Sequence, residues 1–174
     1  MQKKLSICLL TAFVTSAAAS DNCGSHRKIT QQEMLSAQKA WGDGIVRIGA
    51  AVDHKKAALA HIAALYGYDQ GPVLFKPTKA RVVQFRDDVD EALSYFVGGK
   101  ELEDKGFALA PFTKVRFVNH ATTMDCDSAL AQGNYYFTTA DAKEIKVEYT
   151  FGYVRDKNGR LKINLQHSSV PYSE

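Results

Sequence analysis

The chain has 174 residues, with 22 Lys and Arg, 19 Asp and Glu and five His, and a formal charge of +3 at neutral pH. That length suits one domain built around one core. A nearly neutral chain without a clustered basic face carries no electrostatic footprint for nucleic acid or for an anionic membrane, so neither is expected as a partner.

The N-terminus reads Met1-Gln-Lys3-Lys4, then an apolar run from Leu5 to Val14, then Ala17-Ala18-Ala19 before Ser20. Charged, apolar, then small is the order of a secretory signal, so residues 1–19 are expected to be removed and the mature chain to begin at Ser20. The run is shorter than the about 20 apolar residues that a bilayer span requires. Residues 20–29 are small and polar and read as an N-terminal arm, and residues 30–174 as a single domain. Loss of Lys3 and Lys4 lowers the formal charge to +1. The mature chain is expected in the periplasm or outside the cell. Cys23 and Cys126 both remain in it, and a pair in an oxidising compartment tends to close, so a disulfide between them is expected, with two free thiols as the alternative. Two cysteines cannot supply the four ligands of a structural zinc site, and no cofactor is expected.

Thr30-Gln-Gln-Glu33 is a capping box, and Ile29 is placed to staple onto Met34, which fixes a helix start. Met34, Trp41, Ile45, Ile48 and Val52 follow at helical spacing and form one apolar stripe. Asp53 caps a second helix, with Leu59, Ile62, Ala63 and Tyr66 expected inside and Gly67 at its end. Residues 72–78 read as a short extended piece. A third helix begins near Asp87, its acids Asp88, Asp90 and Glu91 favoured by the helix dipole, with Val89, Leu93 and Phe96 facing inward and Gly98-Gly99 as the stop. From Val115 the period changes to two, which predicts strands over 115–120, 129–138, 144–155 and 160–170. Helices first and antiparallel strands later define an α+β domain with helices on one face of a sheet.

The last hairpin has its register set by its loop. Asp156-Lys157-Asn158-Gly159-Arg160 suits a three-residue loop with Gly159 left-handed, which pairs Tyr153 with Ile163, Phe151 with Leu165 and Tyr149 with His167. A two-residue turn instead mixes apolar and polar partners on one face.

Three features together resemble the NTF2-like superfamily: the helix pair containing Trp41, the Leu74-Phe75-Lys76-Pro77 stretch, and the closing strands Tyr149-Thr-Phe-Gly-Tyr153 and Gln166-His167-Ser168-Ser169-Val170-Pro171. The closing His-x-Ser strand looks like the SnoaL-like proteins and the association domain of calcium/calmodulin-dependent kinase II. The resemblance implies a cone, with a curved antiparallel sheet wrapped around the N-terminal helices, a pocket inside and a homodimer through the outer sheet face. Kinase signalling does not carry over, because the chain has no kinase and begins with an export signal. Similar exported chains also bear the label phosphoribosyl-AMP cyclohydrolase. Only Asp125-Cys126-Asp127 and Asp87-Asp88-Val89-Asp90 echo that enzyme's metal motif, and its cysteine framework is absent.

Inside such a cone, His167 and its cross-strand neighbour Tyr149 are the candidate ligand-binding residues, joined by Asn119, which shares the phase of Val115 and Phe117. Arg116 and His120 take the outer phase. The acids near Asp88 are explained by a helix start, the histidines lack metal-ligand spacing, and Ser168 and Ser169 lack a nucleophile-elbow setting. The expectation is a domain that binds an unidentified small molecule. The alternatives are an isomerase, dehydratase or hydrolase, and a non-catalytic dimeric assembly module.

Overall fold

Thr30 starts the first helix as its sequence requires. In the computed structural model, which describes Cys23 and residues 27–174, α1 spans Gln31–Ala50, and Thr30 and Glu33 cap each other's backbone. The expected signal and most of the arm lie outside the described residues. α1 buries Met34, Gln38, Trp41, Ile45 and Ile48, but stops at Ala50, so Val52 falls outside the stripe and is exposed. Helix α2 (His54–Leu65) is capped by Asp53. It turns Ala58, His61 and Ile62 inward, while Leu59 and Ala63 face out. Strand β1 (Leu74–Lys76) precedes α3 (Val89–Val97), whose cap is Asp88 and whose end is Gly98 at φ +81°. One 3-10 turn (Phe107–Leu109) leads to the sheet.

Strands β2 (Lys114–Met124), β3 (Ser128–Thr138), β4 (Glu144–Arg155) and β5 (Leu161–Ser169) form an antiparallel meander. β1 adds to β5 in parallel, so the sheet is mixed, with order β1-β5-β4-β3-β2. Its inner face carries Phe117, Ala129, Ala131, Tyr135, Phe137, Val147, Tyr149, Phe151 and Tyr153 against Trp41, Tyr66, Phe75 and Phe96 of the other layer. Trp41 packs edge-on against Phe117, Tyr135, Phe137 and Phe151, with ring centroids 5.6–6.3 Å apart. Such pairs each add about 0.5–1.5 kcal/mol beyond the area they bury.

Two bulges shape the sheet. On β2, Asn119 opposes Gly133 and Ala121 opposes Gln132, which leaves His120 as the extra residue. Gly133 is required there, because a Cβ would stand 2.1 Å from the Val118 carbonyl oxygen. On β5, Leu165 opposes Gly152 and Ile163 opposes Tyr153, so Asn164 is extra. A Cβ on Gly152 would meet the Asn164 side-chain oxygen at 2.8 Å, so the glycine permits this bulge.

The second bulge corrects the register read from the sequence. The loop has the expected form, with Gly159 at φ +77° and its N–H donating to the Asp156 carbonyl at 2.8 Å. Tyr153 also opposes Ile163. Beyond Asn164 every later residue moves to the other face, so His167 opposes Thr150, and Tyr149 opposes Ser168. His167 is therefore exposed on the outer face, whereas Gln166 and Ser168 are buried inside. Cys23 is bonded to Cys126, with Cα atoms 5.2 Å apart, and so is itself held against the β2–β3 turn. The Ile29 N–H also donates to the Asp125 carbonyl at 2.8 Å.

Candidate functional site

The cone interior contains polar side chains in two groups. The first lies between α1 and the sheet. Gln38 donates to Asn119 Oδ1 at 2.8 Å and to the Tyr149 hydroxyl at 3.2 Å, Asn119 Nδ2 donates back to Gln38 Oε1 at 3.0 Å, and the Tyr149 hydroxyl donates to Asn119 Oδ1. Burial pushes the Tyr149 phenol up to about 12, partly offset by its hydrogen bond with Gln38. Tyr149 and Asn119 thus meet, as residues of one inner face do, but their polar atoms are turned to each other and to Gln38. His167 does not join them.

The second group runs from the core to the end of the cone. Trp41 Nε1 donates to the Tyr66 hydroxyl at 2.9 Å, and Tyr66 donates to Gln166 Oε1. The Tyr135 hydroxyl pairs with Ser168 Oγ at 2.5 Å. Burial raises the Tyr135 phenol, against lowering contributions from Ser168, Thr78 and Gln166. Burial likewise pushes Tyr95 up to about 12, opposed by the Lys79 and Thr78 backbone and the Thr78 side chain, and reinforced by the nearby Asp104 charge. Thr78 therefore lies near both Tyr135 on the sheet and Tyr95 on α3. At neutral pH these phenols keep their protons.

This second group borders a cavity of about 220 Å³. Thr78 and Tyr95 line it together with the apolar side chains of Phe107, Phe112, Phe137 and Val147, and Lys79 and Lys105 also border it. Tyr135 and Ser168 lie two residues before Phe137 and Val170, which line the cavity. Beside it, Arg86 and Asp104 form an ion pair of 2.8 Å between two side chains with no exposure. Glu103 accepts the backbone N–H groups of Arg81, Val82 and Val83 at 2.8–3.2 Å, tying the loop after β1 to the loop after α3. Those N–H groups hold its carboxyl below the usual range, against desolvation.

On the outer sheet face a separate groove holds His120, Gln132, Glu148, Thr150, His167 and Ser169. Among the described residues no group of three or more His, Cys, Asp or Glu side chains is placed to hold a metal ion. Sequence reasoning missed Thr78, Tyr95, Gln166 and Ser168, and read Tyr135 as core or pocket wall without its partner. The inward phase of Tyr135 was legible, but Ser168 was hidden by the bulge, and Thr78 and Tyr95 become neighbours only through the tertiary fold.

A mixed five-stranded sheet closed by three helices around a buried polar interior is the NTF2-like cone. A calcium/calmodulin-dependent kinase II association domain from Xanthomonas campestris shares it, with a TM-score of 0.59 at 22% identity over 83% of this chain and 91% of that one. A ketosteroid isomerase-like structure from Parabacteroides distasonis gives 0.53 at 18% identity over 84% and 92%. Closer in sequence, the metal-independent carbonic anhydrase of Nostoc sp. strain PCC 7120 is 41% identical over 158 residues, 86% of this chain and 77% of the relative. The crystal structure of a cyanobacterial iota-carbonic anhydrase complexed with bicarbonate matches with a TM-score of 0.81 at 40% identity, over 84% of this chain and 95% of that one. Residues 32–170 match the family described as MICAH, metal-independent carbonic anhydrase. The chain belongs to that family.

This overturns the expectation of a binding domain with an unidentified ligand, together with its alternatives of an isomerase, dehydratase or hydrolase and of an assembly module. The cone was legible in the sequence, but its closing-strand motif is shared by members with different chemistries, so it could not select this branch.

Proposed function

We propose that this chain interconverts carbon dioxide and bicarbonate, and that the reaction takes place in the cavity bordered by Thr78 and Tyr95. The observation that carries the proposal is the family match over residues 32–170, joined to a 40% identical relative solved with bicarbonate. The cavity suits both partners of the reaction. Its aromatic and aliphatic walls favour apolar carbon dioxide. Its hydroxyl donors meet the negative charge that develops on oxygen when water adds to the carbon. A donor aimed at developing charge in a water-poor site is worth about 10²–10³-fold in rate. Lys79 and Lys105 border the same cavity and attract the anion.

Tyr95 and Thr78 are the substrate-facing residues in this reading, and the Tyr135–Ser168 pair supports Thr78 from below. The Gln38–Asn119–Tyr149 group holds α1 to the sheet. Stopped-flow measurement of carbon dioxide hydration by the purified chain tests the proposal. A rate well above the uncatalysed one is expected, and its absence in folded protein overturns the assignment.

We also propose that residues 1–19 are removed on export to the periplasm or medium, that the Cys23–Cys126 bond forms there, and that two copies pair through the outer sheet face. Exposed Val118 and Leu130 on that face support the pairing. Intact mass, peptide mapping without reductant and sedimentation test these in turn.

A further inference from the structure

Two consecutive acids after α3 grip the loop after β1. Glu103 takes the backbone: its Oε2 accepts the N–H groups of Arg81 and Val82 at 2.9 and 3.2 Å, and its Oε1 those of Val82 and Val83 at 3.0 and 2.8 Å. Three successive N–H groups turned to one carboxylate form an anion nest, and here the anion belongs to the chain itself. Asp104 takes a side chain, accepting from Arg86 Nη2 at 2.8 Å, while Arg86 Nη1 donates to the Val83 carbonyl. Val83 is therefore held by its N–H from Glu103 and by its carbonyl from Arg86. The grip is anchored on α3 as well, since the Glu101 N–H donates at 2.8 Å to Oγ of the buried Ser94, which precedes Tyr95. Between Lys76 and Val89 the chain has no helix or strand, so no ladder of backbone bonds fixes Thr78. Thr78 and Lys79 line the cavity just before the gripped residues, and Glu103 to Phe107 line it from the other loop.

We infer that Glu103 is a positioning residue for carbon dioxide hydration: by filling the nest of Arg81, Val82 and Val83 it sets Thr78 against Tyr95 across the cavity. The inference rests on the carbonic anhydrase reading of that cavity. The two hydroxyls come from separate elements, Thr78 from a loop and Tyr95 from α3, so their separation depends on what ties that loop to that helix. A reacting group misplaced by about 1 Å can cost about 10²-fold in rate. The nest has a second effect on the site. Glu103 borders the same cavity as Lys79 and Lys105, and a free carboxylate there would repel bicarbonate, whereas one satisfied by three N–H groups has its charge offset. Emptied of Glu103, the nest is a site for a small carboxylate such as formate.

The test is Glu103→Ala, which empties the nest at a half-buried position and leaves the Arg86–Asp104 pair in place. It is expected to stay folded by circular dichroism, with kcat for hydration lowered by about 10-fold to 10²-fold. Glu103→Gln keeps one acceptor oxygen but turns an amide to the remaining N–H groups, and its kcat is expected to fall by a smaller factor. Sodium formate titrated into Glu103→Ala is expected to restore part of kcat with saturation and to shift the backbone amide resonances of Arg81, Val82 and Val83, while the parent gains nothing at the same concentrations. A simple loss of stability gives no such recovery. Parental kcat in either folded variant overturns the inference alone, and so does formate that leaves those amides unmoved or fails to raise the activity of Glu103→Ala. A folded parent chain without hydration activity overturns the carbonic anhydrase reading and this inference with it.

Discussion

The two buried polar groups of the cone are completed in different ways. Gln38, Asn119 and Tyr149 exchange hydrogen bonds in a closed set, and each of the three is bonded to the others. Thr78 and Tyr95 instead border an open cavity. Both groups lie inside the same cone, the first between α1 and the sheet, the second between the loop after β1 and α3. What separates them is whether the hydrogen-bonding capacity is used within the protein. A closed set specifies packing, and an open one can bind something else.

The largest expected effect that sharpens this contrast is on the open group. Tyr95→Phe removes a donor from the cavity without changing the ring, so kcat/KM for hydration is expected to fall about 10²-fold with thermal stability nearly unchanged. Stopped-flow kinetics beside a melting curve checks it. Equal activity in Tyr95→Phe would leave the contrast without a functional meaning.

A second effect concerns His61, behind both groups. Burial, with a smaller contribution from the Arg47 charge, lowers its pKa from an ordinary 6.5 to about 3. Its ring packs so closely on α1 that a Cβ at Gly44 would lie 2.0 Å from Nδ1. Because the folded value is depressed, the unfolded chain binds the proton first. The stabilisation is complete above pH 6.5 and is lost as pH falls towards 3, by about 2 kcal/mol at pH 5. Glu33, lowered from 4.5 to about 2 chiefly by its hydrogen bond with Arg155, adds acid sensitivity of the same sign between those two values. Denaturant titrations of His61→Leu are expected to show a flatter decline between pH 7 and pH 5 than the parent. An unchanged slope places the acid sensitivity elsewhere.

Smaller effects belong to the closed group and the outer face. Tyr149→Phe leaves Gln38 and Asn119 one partner short, so it is expected to cost about 1 kcal/mol of stability while hydration continues at close to the parental rate. His167→Ala, on an exposed side chain, is expected to change stability by less than about 0.5 kcal/mol and activity hardly at all. A strong loss of activity in Tyr149→Phe reverses the assignment of the two groups, and one in His167→Ala moves the reaction to the outer groove.

The same contrast marks what the sequence makes legible. Local signals sufficed for the start of α1 at Thr30, for the cap at Asp53 and for the left-handed Gly159, and they put the start of α3 near Asp87, beside its cap at Asp88. Tyr149 and Asn119 were readable as inward because regular alternation carries them there. His167 was misplaced because one extra residue, Asn164, shifts the phase of everything after it. The signal was Gly152, a glycine inside a strand, which marks a bulge or close approach without saying on which strand the extra residue sits. Thr78, Tyr95 and Asp104 have no pattern linking them, since they come from a loop, a helix and another loop that Glu103 and Arg86 tie together.

The placement of the reaction is tested most directly by a crystal structure of this chain with bicarbonate. The anion is expected in the cavity, with oxygens within hydrogen-bond distance of the Thr78 and Tyr95 hydroxyls and against the apolar wall of Phe107 and Phe137. Bicarbonate bound instead in the outer groove beside His120 and His167, with the cavity free of it, would contradict that placement.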